Sequence, residues 1–157
     1  MKKIIYILLI TICLSGCNKS IEQSKNDTKN VAYDQDLNSV FSSFNMLDDN
    51  NFESFIGLPL SYVSKYFVGL SNYPDIKMVI AIKPLDSYNK YIDMSVELYL
   101  DSILRRLQID YFSENNILND KISLIENCFK SNYNGYYIYI VSDNNEEIFE
   151  ILKTYLK

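Results

Sequence analysis

Histidine and tryptophan are both absent from this 157-residue chain. Without an imidazole there is no Ser-His-Asp or Cys-His catalysis, no His-ligated zinc and no ordinary near-neutral proton shuttle. Glycine and proline are sparse, at four and three. No P-loop, dinucleotide fingerprint or C-x-x-C is present, and neither is an internal repeat or a low-complexity tract. Positive charge is also short, with 15 Lys and Arg against 20 Asp and Glu. Such a balance is repelled by phosphate backbones and anionic headgroups, so nucleic acid is not an expected partner. Cysteine occurs three times, at positions 13, 17 and 128.

What is present begins with Met1 to Cys17, MKKIIYILLITICLSGC. Lys2 and Lys3 form a charged head, Ile4 to Leu14 an apolar run of eleven, and Leu14-Ser15-Gly16-Cys17 a small-residue close. That is the anatomy of a secretory signal, and the run is shorter than the ~20 residues a bilayer crossing needs. Leu14-Ser15-Gly16-Cys17 resembles the lipobox of bacterial lipoprotein precursors. The resemblance implies cleavage between Gly16 and Cys17, a diacylglycerol on the Cys17 thiol and acylation, as by palmitate, of the new amino group. It further implies an exported, membrane-bound protein. Asn18, which stands where an aspartate is linked to inner-membrane retention, then favours the outer membrane facing the periplasm in a two-membrane cell. In a one-membrane cell the address is the outer face of the cytoplasmic membrane.

Loss of residues 1–16 leaves 141 residues, enough for one core. Lys2 and Lys3 leave with the signal, so thirteen basic residues face twenty acidic ones, a net charge of −7. Membrane attachment must then come from the lipid, at about 0.8 kcal/mol per buried methylene. Cys13 is discarded and Cys17 is lipidated, so Cys128 is the remaining thiol and no intrachain disulfide forms. Cys128 reads as a small, buried, apolar residue on a helix rather than a reactive group.

The domain expectation is therefore 1–16 signal, 17–33 lipidated cysteine and flexible tether, and 34–157 one globular domain. Asn18 to Tyr33 holds few apolar side chains and would span roughly 22 Å on average. A helix with Leu37, Val40, Phe41, Phe44 and Leu47 follows, capped by Asp34 or Asp36 and ended by Asp48-Asp49-Asn50-Asn51. Gly57 breaks the chain, and Leu60, Val63 and Phe67 form a second helical stripe stopped by Gly69. The spacing Gly57, Val63, Gly69 resembles the helix-opening segment of small outer-membrane assembly lipoproteins of the SmpA/OmlA type, which place two helices before a three-stranded sheet.

Alternation predicts strands. Ile76, Met78, Ile80 and Ile82 face inward on one, with Lys77 outward and able to reach Glu97. Ile92, Met94, Val96, Leu98 and Leu100 define another, and a turn at Asp101-Ser102 would return the chain. That hairpin pairs Val96 with Leu107, Met94 with Ile109 and Ile92 with Tyr111, and sets Glu97 opposite Arg106 and Asp93 opposite Asp110. The last fifty residues read helix, strand, helix. Ile122, Ile125 and Phe129 line the first helix, with an exposed Glu126–Lys130 pair and an end at Asn134-Gly135. Tyr136 to Val141 is the strand, and Ile148, Ile151, Leu152 and Tyr155 the core face of a final helix capped by Ser142 or Asp143. The fold class is α+β: two N-terminal helices, an antiparallel sheet of three to four strands and a C-terminal helix-strand-helix.

Chemistry is thin. Asp93, Glu97 and Asp110 on one sheet face are the best carboxylate set for glycosidase-like hydrolysis, yet exposed carboxylates are ordinarily only solvated. An enzyme is not the expectation, and neither a cofactor nor a metal is. Fourteen tyrosines can mark a binding face, although an AT-rich genome enriches the same residue. The expected role is a lipid-anchored envelope module that binds or inhibits a protein, such as an immunity-type lipoprotein. Asp93, Glu97, Tyr99, Arg106 and Asp110 form its candidate surface for a partner of basic character. The alternatives are a structural accessory of envelope assembly and a carboxylate-dependent hydrolase.

Overall fold

A computed structural model describes residues 29–31, 37–112 and 115–157. The fold is α+β, with helices on both faces of one five-stranded sheet in the order β1-β2-β3-β5-β4. The strands are β1 (Asn45–Met46), β2 (Val63–Leu70), β3 (Met78–Pro84), β4 (Phe129–Tyr133) and β5 (Tyr136–Val141). Every neighbouring pair is antiparallel. The helices among the described residues, beyond a single turn at Leu37–Val40, are α1 (Asp49–Ile56), α2 (Asn89–Asp110), α3 (Asn115–Glu126) and α4 (Asn145–Tyr155).

Both faces of the sheet are buried, which is why its central strands read as continuous apolar runs. On one face Tyr66, Val68, Met78, Ile80, Ile82 and Tyr139 pack with α1, α2 and α3. On the other, Phe67, Val79, Ala81, Ile138 and Ile140 pack with α4 and with Leu37 and Phe41. β3, expected from its alternation, therefore buries both sets of its side chains, and β5 is paired on both edges.

The largest departure from the sequence reading is residues 89–110, which form one helix and not a hairpin. The buried positions are Ile92, Val96, Leu100 and Leu107, at helical spacing, whereas Met94 and Leu98 are 53% and 63% exposed. The alternation came from these two exposed apolar side chains. The expected pairs Val96–Leu107, Met94–Ile109 and Ile92–Tyr111 do not exist, because their members lie along a single helix.

Four further corrections follow from the same sheet. Val63 and Phe67 belong to β2 rather than a helix, since a strand buried on both faces carries apolar residues at either parity. The Gly57–Gly69 segment thus runs into a strand and does not open an α-helix as the SmpA/OmlA-type spacing implied. Asp48 starts a helix instead of ending one: its Oδ1 accepts from the Asn51 backbone N–H at 2.9 Å. Asn134-Gly135 is the turn of the β4–β5 hairpin, with both residues at positive φ (50° and 82°), as a two-residue turn requires. Phe129 and Lys130 are accordingly in β4, while α4 forms as expected with Glu146 and Glu147 in its first turn and Lys153 in its last.

Residues 29–31 also bind to the fold. Lys29 Nζ donates to the carbonyls of Leu60 (2.8 Å) and Val63 (2.7 Å), and Val31 N–H donates to Tyr66 O at 2.8 Å. Asn30 is fully buried and donates its side-chain amide to Leu47 O. Val31 packs into the core, and the side-chain nitrogens of Lys29 and Asn30 bind backbone carbonyls. Asp34 and Asp36, named as caps, lie outside the described residues.

Candidate functional site

The five residues of the candidate surface do not share one face. On an ideal helix of 3.6 residues per turn, Asp93 and Glu97 fall on one side of α2, while Tyr99, Arg106 and Asp110 fall nearly opposite. Asp93 and Asp110 are separated by about 25 Å of helix at ~1.5 Å per residue, so they neither repel each other nor share a cation.

The first pair leans on the sheet. Tyr139, buried on β5, donates its hydroxyl to Asp93 Oδ1. Burial, and then this hydrogen bond, push the Tyr139 phenol well above its ordinary range. Glu97 meets Lys130 Nζ at 3.0 Å, on the rim of β4. Neither expected partner holds: Lys130 was assigned to Glu126, and Lys77 instead pairs with Asp143 at 2.6 Å. Asp110 is remote from Asp93 and Glu97 along α2, and the three expected carboxylates do not form one set.

The second group builds a site. Arg106 lies over the Tyr73 ring, its guanidinium carbon 4.1 Å from the centroid, with Nε 3.5 Å from Asp110 Oδ2. Tyr73 donates its hydroxyl to that same oxygen, and this hydrogen bond raises the Tyr73 phenol above its usual value. Behind this triad opens a cavity of about 400 Å³ between α1, the β2–β3 loop and the outer half of α2. Leu47, Phe55, Leu70, Ile76, Tyr99 and Ile103 give it an apolar wall. Burial alone raises the Tyr99 phenol, which keeps it neutral. The Ser71 hydroxyl is buried in the same wall with no hydrogen-bond partner among the described residues. An apolar hollow with few polar groups converging on it is the ordinary form of a binding site.

Sequence reasoning found Tyr99, Arg106 and Asp110 by assigning them to a sheet, and missed Phe55 and Tyr73. Phe55 carried a signal of its own. Phe52 and Ile56 sit four apart and are buried, so Phe55 falls off that stripe and is left 47% exposed. Cys128 is half-buried in the link between α3 and β4 rather than on a helix, and burial raises its thiol. No cluster of three or more His, Cys, Asp or Glu side chains able to hold a metal occurs among the described residues. No helix among them is long and apolar enough to cross a membrane.

Gly16 and Cys17 lie outside the described residues, but there the comparison with known families speaks. A family model for the prokaryotic membrane lipoprotein lipid attachment site matches residues 1–18. No curated protein and no solved structure matches the chain.

Proposed function

We propose that this bacterial lipoprotein precursor, whose product is exported and held on a membrane by lipid, acts by binding a protein partner in the cell envelope. Within the matched segment the acyl chains are assigned to Cys17, the cysteine that closes the lipobox. In a cell with two membranes Asn18 directs the product to the outer one, facing the periplasm. The observation that carries the binding role is the cavity beneath Tyr73 and Arg106. It has the size and apolar lining to receive one or two side chains of a partner, and Ser71 supplies an unused hydroxyl inside it.

The electrostatics refine the partner. Arg106 is partly neutralised by Asp110 and Lys77 by Asp143, and Asp75 stands at the same rim. A partner segment with an apolar anchor and basic flanks is therefore the complementary shape, in keeping with an inhibitory, immunity-type role. The test is a photo-reactive phenylalanine analogue at position 55 in the lipidated protein, irradiated in intact envelopes. A discrete adduct that disappears when Ser102→Trp fills the mouth supports the role. No adduct, or adducts indifferent to Ser102→Trp, contradicts it.

A further inference from the structure

The direction in which the chain enters the fold shows which end of the domain the lipid tether joins. Asn30 pairs with Tyr66 in parallel, so residues 29–31 run the same way as β2, from its Val63 end toward Leu70. Lys29 is fastened at that Val63 end, to carbonyls on either side of Tyr62. Only residues 18–28 separate it from Cys17, a span of at most about 40 Å when fully extended. The end that carries Tyr62 is thus the one at which the lipid tether joins the domain, and the cavity lies at the Leu70 end.

The tether end has the side chains a bilayer interface favours. Tyr62 and Tyr88 stack 3.9 Å apart and nearly parallel, and Tyr91 leans on both. All three are only half-buried. Leu85, whose N–H donates to Tyr62 O, is 44% exposed beside them. Lys90 is exposed and lies over the Tyr91 ring, and Lys83 sits on the adjacent end of β3. Tyrosine rings seat at headgroup depth with the hydroxyl in water, and lysines there meet lipid phosphates. The far end carries both signs, with Asp75, Asp110 and Asp143 beside Lys77, Arg106 and Lys121.

We propose that Tyr62, Tyr88, Tyr91 and Leu85, flanked by Lys83 and Lys90, form a second membrane contact that rests on the phospholipid headgroups and holds the domain upright. Dual contact has a physical purpose. The acyl chains hold the protein on the bilayer but a tether alone leaves the domain free to turn, whereas a seated aromatic patch fixes the cavity outward. The proposal rests on the lipoprotein assignment and not on the cavity's role, so its failure leaves the cross-linking test untouched.

Because the chain has no tryptophan, Leu85→Trp and Phe112→Trp each install a single fluorescent reporter, the latter at the far end of α2. The lipidated full chain is reconstituted in vesicles of phosphatidylethanolamine and phosphatidylglycerol that carry a headgroup spin label. The reporter at 85 is expected to be quenched at least twofold more than the one at 112 and to shift to the blue. Tyr88→Trp, an aromatic exchange at the same end, is expected to repeat the result, and adding Lys83→Glu with Lys90→Glu to reduce it. Equal quenching at both ends, quenching at neither, or stronger quenching at 112 overturns the proposal.

Discussion

Tyr139, in the middle of the sheet, donates its hydroxyl to Asp93 on α2, and this bond ties the longest helix to the strand it covers. Removing Asp93 strands the hydroxyl of the buried Tyr139, and removing that hydroxyl takes a charge-assisted hydrogen bond from Asp93, which is exposed. Tyr139→Phe and Asp93→Ala are each expected to cost about 1–3 kcal/mol. Urea denaturation checks this, and a double variant that costs little more than either single one would show that the two side chains act on each other.

The same bond sets an alkaline limit. Burial and the Asp93 hydrogen bond raise the folded-state value of Tyr139 above the ordinary 10.0 of a tyrosine, and Tyr73 and Tyr99 shift the same way. A raised value means that the folded protein keeps its protons where the unfolded chain has begun to lose them. The stabilisation is complete below about pH 10 and is lost as pH rises beyond it. Urea midpoints from pH 8 to pH 11 are expected to fall above pH 10, and less steeply in Tyr139→Phe.

Helix and hairpin give different results for α2. Leu107 is fully buried and Leu98 is 63% exposed, so Leu107→Ala is expected to cost about 2–5 kcal/mol and Leu98→Ala within ~0.5 kcal/mol of nothing. Had residues 92–111 paired as strands, Leu98 would lie on the inner face beside Val96, and both substitutions would be costly. The comparison of the two urea midpoints decides.

At the β4–β5 turn Gly135 has φ +82°, and an added Cβ would meet Lys83 Cε at 3.3 Å. Gly135→Ala is expected to destabilise by about 1–2 kcal/mol, since an L-residue there is strained apart from any contact. Asn134 also donates to Leu156 O at 2.9 Å, which fastens the C-terminal segment. Amide exchange of residues 155–157 is therefore expected to quicken in Asn134→Ala.

Legibility in the sequence followed the burial pattern. β5 stood out because it is apolar throughout, β3 because Met78, Ile80 and Ile82 alternate, and α4 because Ile148, Ile151, Leu152 and Tyr155 share one stripe. Gly57 was readable as a stop because its αL conformation ends α1. The reading failed where one pattern satisfied two periods. Ile92, Val96 and Leu100 fit a spacing of two as well as of four, and only the continuation to Leu107 separates them. β2 failed for the opposite reason, since a strand covered on both faces has no alternation to show. Asn134-Gly135 was read as a helix end although Asn-Gly is also the strongest short hairpin signal. The cavity was illegible: it is assembled from α1, the β2–β3 loop and α2, and only the fold brings Phe55, Tyr73 and Arg106 together.

The account depends most on lipid at Cys17, since export, the short tether and the presentation of the cavity all presuppose it. Mass spectrometry of the mature amino terminus from cells grown with labelled palmitate tests it directly. A product beginning at Cys17, carrying acyl chains and losing them in Cys17→Ser, is predicted. A product that retains residues 1–16, or begins at an unmodified Cys17, would contradict it.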